Sequence, residues 1–112
     1  MKKDNSIYVK HILESIAKIQ NYVESKTFDD FLNDERTRDA VARHFTIIGE
    51  ATKRIELDFR KMHTQIEWKK MAGMRDVLVH DYDEVDSEKL WQIIQEIIPS
   101  LKIQLIDLLK SL

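Results

Sequence analysis

Two glycines and one proline in 112 residues leave this chain few places to turn. Sandwiches and barrels need turn residues about every eight to twelve positions, so a chain this poor in them folds from longer segments. Its apolar residues recur at steps of three and four, the period of an amphipathic helix. Val9, Ile12, Leu13, Ile16, Ile19 and Val23 form a first stripe. They predict a helix that opens after Asn5 or Ser6, either able to cap it, and closes near Glu24 or Ser25. Thr27 then suits the cap of one short turn carrying Phe28, Phe31 and Leu32.

A longer helix is expected from Asn33 or Asp34, with Asp34 and Glu35 placed where the helix dipole favours negative charge. Its stripe is Val41, Phe45, Ile48, Ala51 or Thr52, and Ile55. Gly49 sits inside it, and a mid-helix glycine costs up to about 1 kcal/mol relative to alanine, which points to a close approach at that position. KMHTQIEW, residues 61–68, reads as a connection. Thr64 or Gln65 then precedes a fourth helix over 66–79, carrying Trp68, Met71, Met74 and Leu78. Asp86 or Ser87 caps a last helix with Leu90, Ile94, Ile97, Leu101, Leu105, Leu108 and Leu112 on one face, widened by Trp91, Ile93 and Ile98. Pro99 falls within it and predicts a kink or two shorter helices. The expected fold is all-α: one domain over 1–112, an antiparallel bundle of four to five helices. The wide apolar face of the last helix exceeds what so small a bundle can bury, so a second copy is expected to cover it.

There is no cysteine, which excludes a disulfide framework and any cysteine-based zinc site. His11, His44 and His63 are scattered, with no second histidine at ligand spacing, so no metal and no cofactor is expected. No uncharged apolar run approaches the roughly 18 residues of a membrane span. The opening MKKDNSIYVKHILE has no apolar run behind its lysines, so no signal peptide is expected, and a cytoplasmic location follows by default. The formal net charge of −2 makes no global case for nucleic acid. Residues 53–80 differ: seven basic side chains against four acidic give a net +3, and a local patch of that sign attracts phosphate.

That block ends in MRDVLVHDYDEVD, residues 74–86, where Arg75, His80 and Tyr82 crowd the end of a helical run. Histidine exchanges a proton near neutral pH. Arginine presents a planar charged fork that matches phosphate oxygens, and tyrosine adds a hydroxyl and an aromatic face. Together they fit metal-free cleavage of RNA, in which a base takes the 2′-hydroxyl proton and arginine stabilises charge on the phosphoryl oxygens. Five residues apart on a straight helix, Arg75 and His80 point about 140° from one another. They meet only where the helix ends or bends near Val79, or across a two-fold dimer. The bland alternative is a helix end at which Arg75 and His80 serve the dipole and Tyr82 packs a corner.

RDVLVHDYDEVD resembles the R-x4-H-x-Y signature of HepT-like proteins, a branch of the HEPN ribonucleases, with Arg75, His80 and Tyr82 on its three positions. FTIIGEATKRI, residues 45–55, is similar to the IGEA helix of that family, and IEWKKMAGMRD, residues 66–76, to its tryptophan-containing approach to the arginine. Thr64-Gln65 stands where the family has a proline-rich entry. The resemblance implies an all-α bundle that homodimerises around a composite site. It also implies a metal-independent endoribonuclease, the toxin of a toxin–antitoxin pair. Its partner would be a MntA-type nucleotidyltransferase that neutralises it by transferring AMP to Tyr82. Glu50, in the matching GEA segment, would orient Arg75. The competing reading is a non-catalytic helical scaffold that docks a nucleotidyltransferase.

Overall fold

In the computed structural model, residues 4–76 and 86–112 are described, and they contain helices and no strand. Helix α1 (Asn5–Val23) carries the first stripe inward: Val9, Ile12, Ile16, Ile19 and Val23 are buried. Its cap is Asp4, one residue before the expected Asn5 or Ser6, accepting from the Ser6 N–H at 3.0 Å. Asn5 is occupied elsewhere: its side-chain oxygen accepts from the Glu56 N–H at 3.0 Å, which ties the start of α1 to the end of the third helix. Helix α2 (Phe28–Leu32) opens on a reciprocal capping box between Thr27 and Asp30. Phe31 is fully buried, whereas Leu32 turns outward because five residues make little more than one turn.

Helix α3 (Glu35–Arg54) starts at the Asp34 cap and buries Val41, Phe45, Ile48, Ala51 and Thr52, with Ile55 just beyond its end. The Thr52 hydroxyl is satisfied within the helix, donating to the Ile48 carbonyl at 2.7 Å. α3 is the centre of the bundle: α1, α2, the fifth helix and the turn that follows it all pack on it. Helix α4 (Leu57–Met62) is not foretold by the periodicity. Leu57 is 55% and Met62 78% exposed, so this element has no buried stripe to announce it. Its charges would have revealed it: Asp58 lies in its first turn and Arg60 and Lys61 in its last, matched to the dipole.

The last apolar segment divides in two, α6 (Ser87–Glu96) and α7 (Ile98–Ser111), with Pro99 in the first turn of α7 and the break at Ile97. Proline has no N–H to donate back into the preceding turn, so it begins a helix where it cannot continue one. Asp86 caps α6, accepting from the Lys89 N–H. Leu90, Ile94, Ile98, Leu101, Leu105 and Leu108 join the buried stripes of α1 and α3 in one hydrophobic core. Trp91 lies half-buried against Phe31 and Phe28, with ring centroids 5.3 and 6.1 Å away. Among the described residues the elements outnumber the expected four or five because α2, α4 and α5 are single short turns; the long helices there are α1, α3, α6 and α7. Ile103 on α7 and Leu112 just beyond its end remain 63% and 58% exposed. No helix among the described residues is long and apolar enough to cross a membrane.

One polar contact lies inside the α1–α3 packing. His44 Nδ1 meets Ser15 Oγ at 3.0 Å, both residues buried, beneath the Tyr22 ring at 5.9 Å. Burial lowers the His44 pKa, and the neighbouring charges Lys18 on α1 and Arg43 on α3 lower it further. The folded state therefore holds fewer protons here than the unfolded chain. The stability this confers is complete above the unfolded histidine value of about 6.5 and is lost as pH falls through the folded value. Urea unfolding at pH 7.5 and at pH 5 should show a lower midpoint at pH 5, and His44→Gln should shrink that difference. An equal difference in both proteins would place the acid sensitivity elsewhere.

Candidate active site

The site is built on two consecutive residues of α3. Helix α5 (Trp68–Ala72) passes into a 3-10 turn, Gly73–Arg75, which lies across α3. At Gly49 the two backbones nearly touch. A Cβ added there would stand 2.9 Å from the Arg75 Cβ, 3.2 Å from the Ala72 carbonyl oxygen and 3.3 Å from the Arg75 nitrogen. The close approach expected from a mid-helix glycine is therefore present, and what approaches is the segment that bears Arg75. The next residue, Glu50, holds the other end of the same side chain: its Oε1 lies 2.9 Å from the Arg75 guanidinium. Gly49 thus admits the arginine backbone and Glu50 anchors its head group.

Arg75 is 43% and Glu50 47% exposed at their side chains. An ion pair so open to water contributes at most about 1 kcal/mol to stability. Its main effect is on direction: it fixes one nitrogen of a half-exposed guanidinium against α3. The mount itself is rigid. Trp68, Met71 and Met74, at three-residue spacing, are buried on the inner side. The Trp68 indole donates to the His63 carbonyl at 2.9 Å and pins the turn before α5.

That turn also corrects the expected helix over 66–79. Ile66 belongs to the turn, α5 begins only at Trp68 with no side-chain cap from Thr64 or Gln65, and the α-helix tightens to 3-10 at Gly73. The span from Arg75 to His80, to which the straight-helix angle refers, runs beyond the described residues. His80 and Tyr82 lie outside the described residues, as do Leu78 and Val79. Among the described residues no group of three His, Asp or Glu side chains could hold a metal ion.

A feature that sequence spacing missed adjoins Glu50. A groove of about 350 Å³ between α1 and α3 is lined by His11, Lys18, His44, Glu50 and Arg54. His11 and His44 are 33 positions apart, so only the packing of α1 on α3 brings them to one surface.

The family model described as ribonuclease HepT-like matches residues 12–108. The chain belongs to the HepT-like ribonuclease family. Among relatives of this HepT-like protein, one from Thermococcus cleftensis, named a probable ribonuclease HepT, is 45% identical over 102 residues, 91% of this chain and 93% of that one. A protein of Methanocaldococcus jannaschii, named a gamma-glutamylcyclotransferase and candidate RNase, is 42% identical over 112 residues, the whole of this chain and 50% of that protein. A candidate RNase of Caldanaerobacter subterraneus is 37% identical over 104 residues, 93% of each chain. No solved structure matches the HepT-like chain.

Replacing the two glycines should separate close approach from helix propensity. Gly49→Ala gains up to about 1 kcal/mol of propensity but forces apart two backbones, an overpacking cost of about 1–3 kcal/mol. A net loss of stability is expected in urea unfolding. Gly73, where an added Cβ meets no described atom within 4 Å, should accept alanine neutrally or with a gain of about 0.4–1 kcal/mol. A stabilised Gly49→Ala would show that the 72–75 segment moves aside freely.

Proposed function

We propose that this HepT-like protein is an endoribonuclease that works without a metal ion, with Arg75, His80 and Tyr82 as its catalytic residues and Glu50 in support. The observation that carries the reading is the mounting of Arg75. A guanidinium is held at the surface by Glu50 on a backbone pressed into Gly49, in a chain whose family is described as ribonuclease HepT-like. A fixed, half-exposed cation is a suitable stabiliser for charge that develops on phosphoryl oxygens.

In the proposed reaction His80 removes the proton of a ribose 2′-hydroxyl. The freed oxygen attacks the adjacent phosphorus, and the bond from phosphorus to the 5′-oxygen breaks. That oxygen takes up a proton, leaving a cyclic phosphate on one fragment and a hydroxyl on the other. Arg75 balances the added negative charge as the phosphorus passes through five-coordination, and the Tyr82 hydroxyl assists beside it. Two copies paired about a two-fold axis would bring both sets of residues to one cleft. The exposed Ile103 on α7 and Leu112 just beyond its end are apolar surface suited to such pairing. The same reading makes the protein the toxin of a pair whose partner is a MntA-type nucleotidyltransferase. Transfer of AMP to the Tyr82 oxygen would place a bulky anion where RNA must lie.

Purified protein should cut RNA in the presence of EDTA, and His80→Ala should lose about 10²–10⁴-fold in rate, the ordinary worth of a general base. Activity that EDTA abolishes, or a His80→Ala variant as fast as its parent, overturns the mechanism. A protein that binds a nucleotidyltransferase tightly but never cuts RNA is a scaffold instead. Glu50→Gln should lower the cleavage rate while shifting the unfolding midpoint little. A loss of stability as large as the loss of rate would make Glu50 a structural residue.

A further inference from the structure

A second concave surface lies between α4 and α5, with a volume of about 820 Å³. Arg60 and Lys61 from the last turn of α4 and Lys69 and Lys70 from α5 stand around it. Among the described residues Glu67 is the one acidic side chain in its lining, and Lys70 already engages it at 3.1 Å. Among the described residues no carboxylate pairs with Arg60, Lys61 or Lys69. The Arg60 Nε is buried without a hydrogen-bond partner, so this guanidinium lacks an acceptor on its inner edge. The floor is Trp68, buried and fixed by its bond to the His63 carbonyl, which rules out its ring as an open stacking platform. What the hollow offers is cationic charge on a rigid base.

Ala72, three residues before Arg75, belongs to its lining, and the Ala72 carbonyl is itself pressed against Gly49. The cationic surface therefore shares Ala72 with the mount of the guanidinium assigned to the reacting phosphate. We infer that this hollow is a track for single-stranded RNA, in which Arg60, Lys61, Lys69 and Lys70 hold backbone phosphates flanking the one at Arg75. The inference rests on the ribonuclease reading and adds where the substrate strand lies. Contacts made by lysine ammonium groups to phosphates carry no sequence information, so the track positions the strand and leaves the choice of cleavage site to other contacts. It also explains why a chain of formal net charge −2 concentrates a net +3 in residues 53–80. Charge grouped beside the reacting centre raises the local concentration of an anionic strand, which dispersed charge would not do.

The test uses a fluorescein-labelled single-stranded RNA oligonucleotide and fluorescence anisotropy over a series of salt concentrations. To keep the probe intact, binding is measured with His80→Ala in every protein; cutting is measured with His80 present. Each phosphate contact adds about 0.7 to the slope of log affinity against log salt for a single strand. Lys61→Ala with Lys69→Ala should therefore reduce the slope by about 1.4, weaken binding, and raise the RNA concentration needed for half-maximal cutting. Arg36→Ala, in the first turn of α3 and outside the hollow, should change none of these. If the parent protein cuts RNA and the double variant keeps its slope and affinity, the track is overturned and the ribonuclease reading stands. If the parent protein neither binds nor cuts RNA, both fall together. Unchanged RNA binding with lost capture of the nucleotidyltransferase assigns the hollow to an acidic protein surface, and overturns the RNA track.

Discussion

Everything in this molecule is organised around α3, which must satisfy two neighbours with different demands. One face is a stripe of bulky side chains, Val41, Phe45 and Ile48, that packs into the core with α1. Beside it lies the missing Cβ of Gly49, where α5 and the 3-10 turn settle within van der Waals range. A helix surface built only of large side chains would hold a neighbouring segment about 8–10 Å away, axis to axis. Removing one side chain lets the Arg75 backbone come closer, and the placement of Arg75 follows from that single omission. The conformational cost of the glycine is offset by packing that no other residue would permit.

The Glu50–Arg75 pair illustrates why geometry and stability have to be weighed separately. Half-exposed and screened by water, it adds little to folding free energy. Arginine has a long side chain with many rotamers, and without an anchor its head group would sample much of the surface. A carboxylate on the adjacent residue of the helix that receives its backbone restricts that freedom at both ends. The entropy of placing the guanidinium is then met during folding. Stability comes from elsewhere, from the buried stripes of α1, α3, α6 and α7 and from caps such as Asp34. Its carboxylate is held well below its ordinary pKa, chiefly by the Thr37 hydroxyl and N–H and further by Lys26.

Much of this could be read before any coordinates, where a local rule was strong. The stripes of α1 and α3 follow from a period of three and four, and Thr27 and Asp86 sit at the caps where their side-chain oxygens are useful. Pro99 divided the last apolar segment because its missing N–H acts within one turn. Legibility failed where the determinants were not periodic. Helix α4 hides because Leu57 and Met62 face solvent, so hydrophobicity does not mark it. The start of α5 moved to Trp68 because an indole hydrogen bond to His63 stabilises a turn that propensities do not register. Asp4 took the first cap while Asn5 was drawn to Glu56, a partner 51 positions away.

Residue order alone was enough to specify an all-helical chain, the inward face of each long helix, and the expectation that something presses on Gly49. Those properties depend on the identity of near neighbours, and a helix repeats its environment every three or four residues. Which segment meets Gly49, that Glu50 grips Arg75 rather than water, and that His11 and His44 share a groove with Glu50 were settled by long-range packing. Contacts across 25 or more positions, such as Glu50 with Arg75, depend on how α1, α3 and α5 pack their side chains together. No local periodicity encodes that arrangement, because it is a property of all the faces at once.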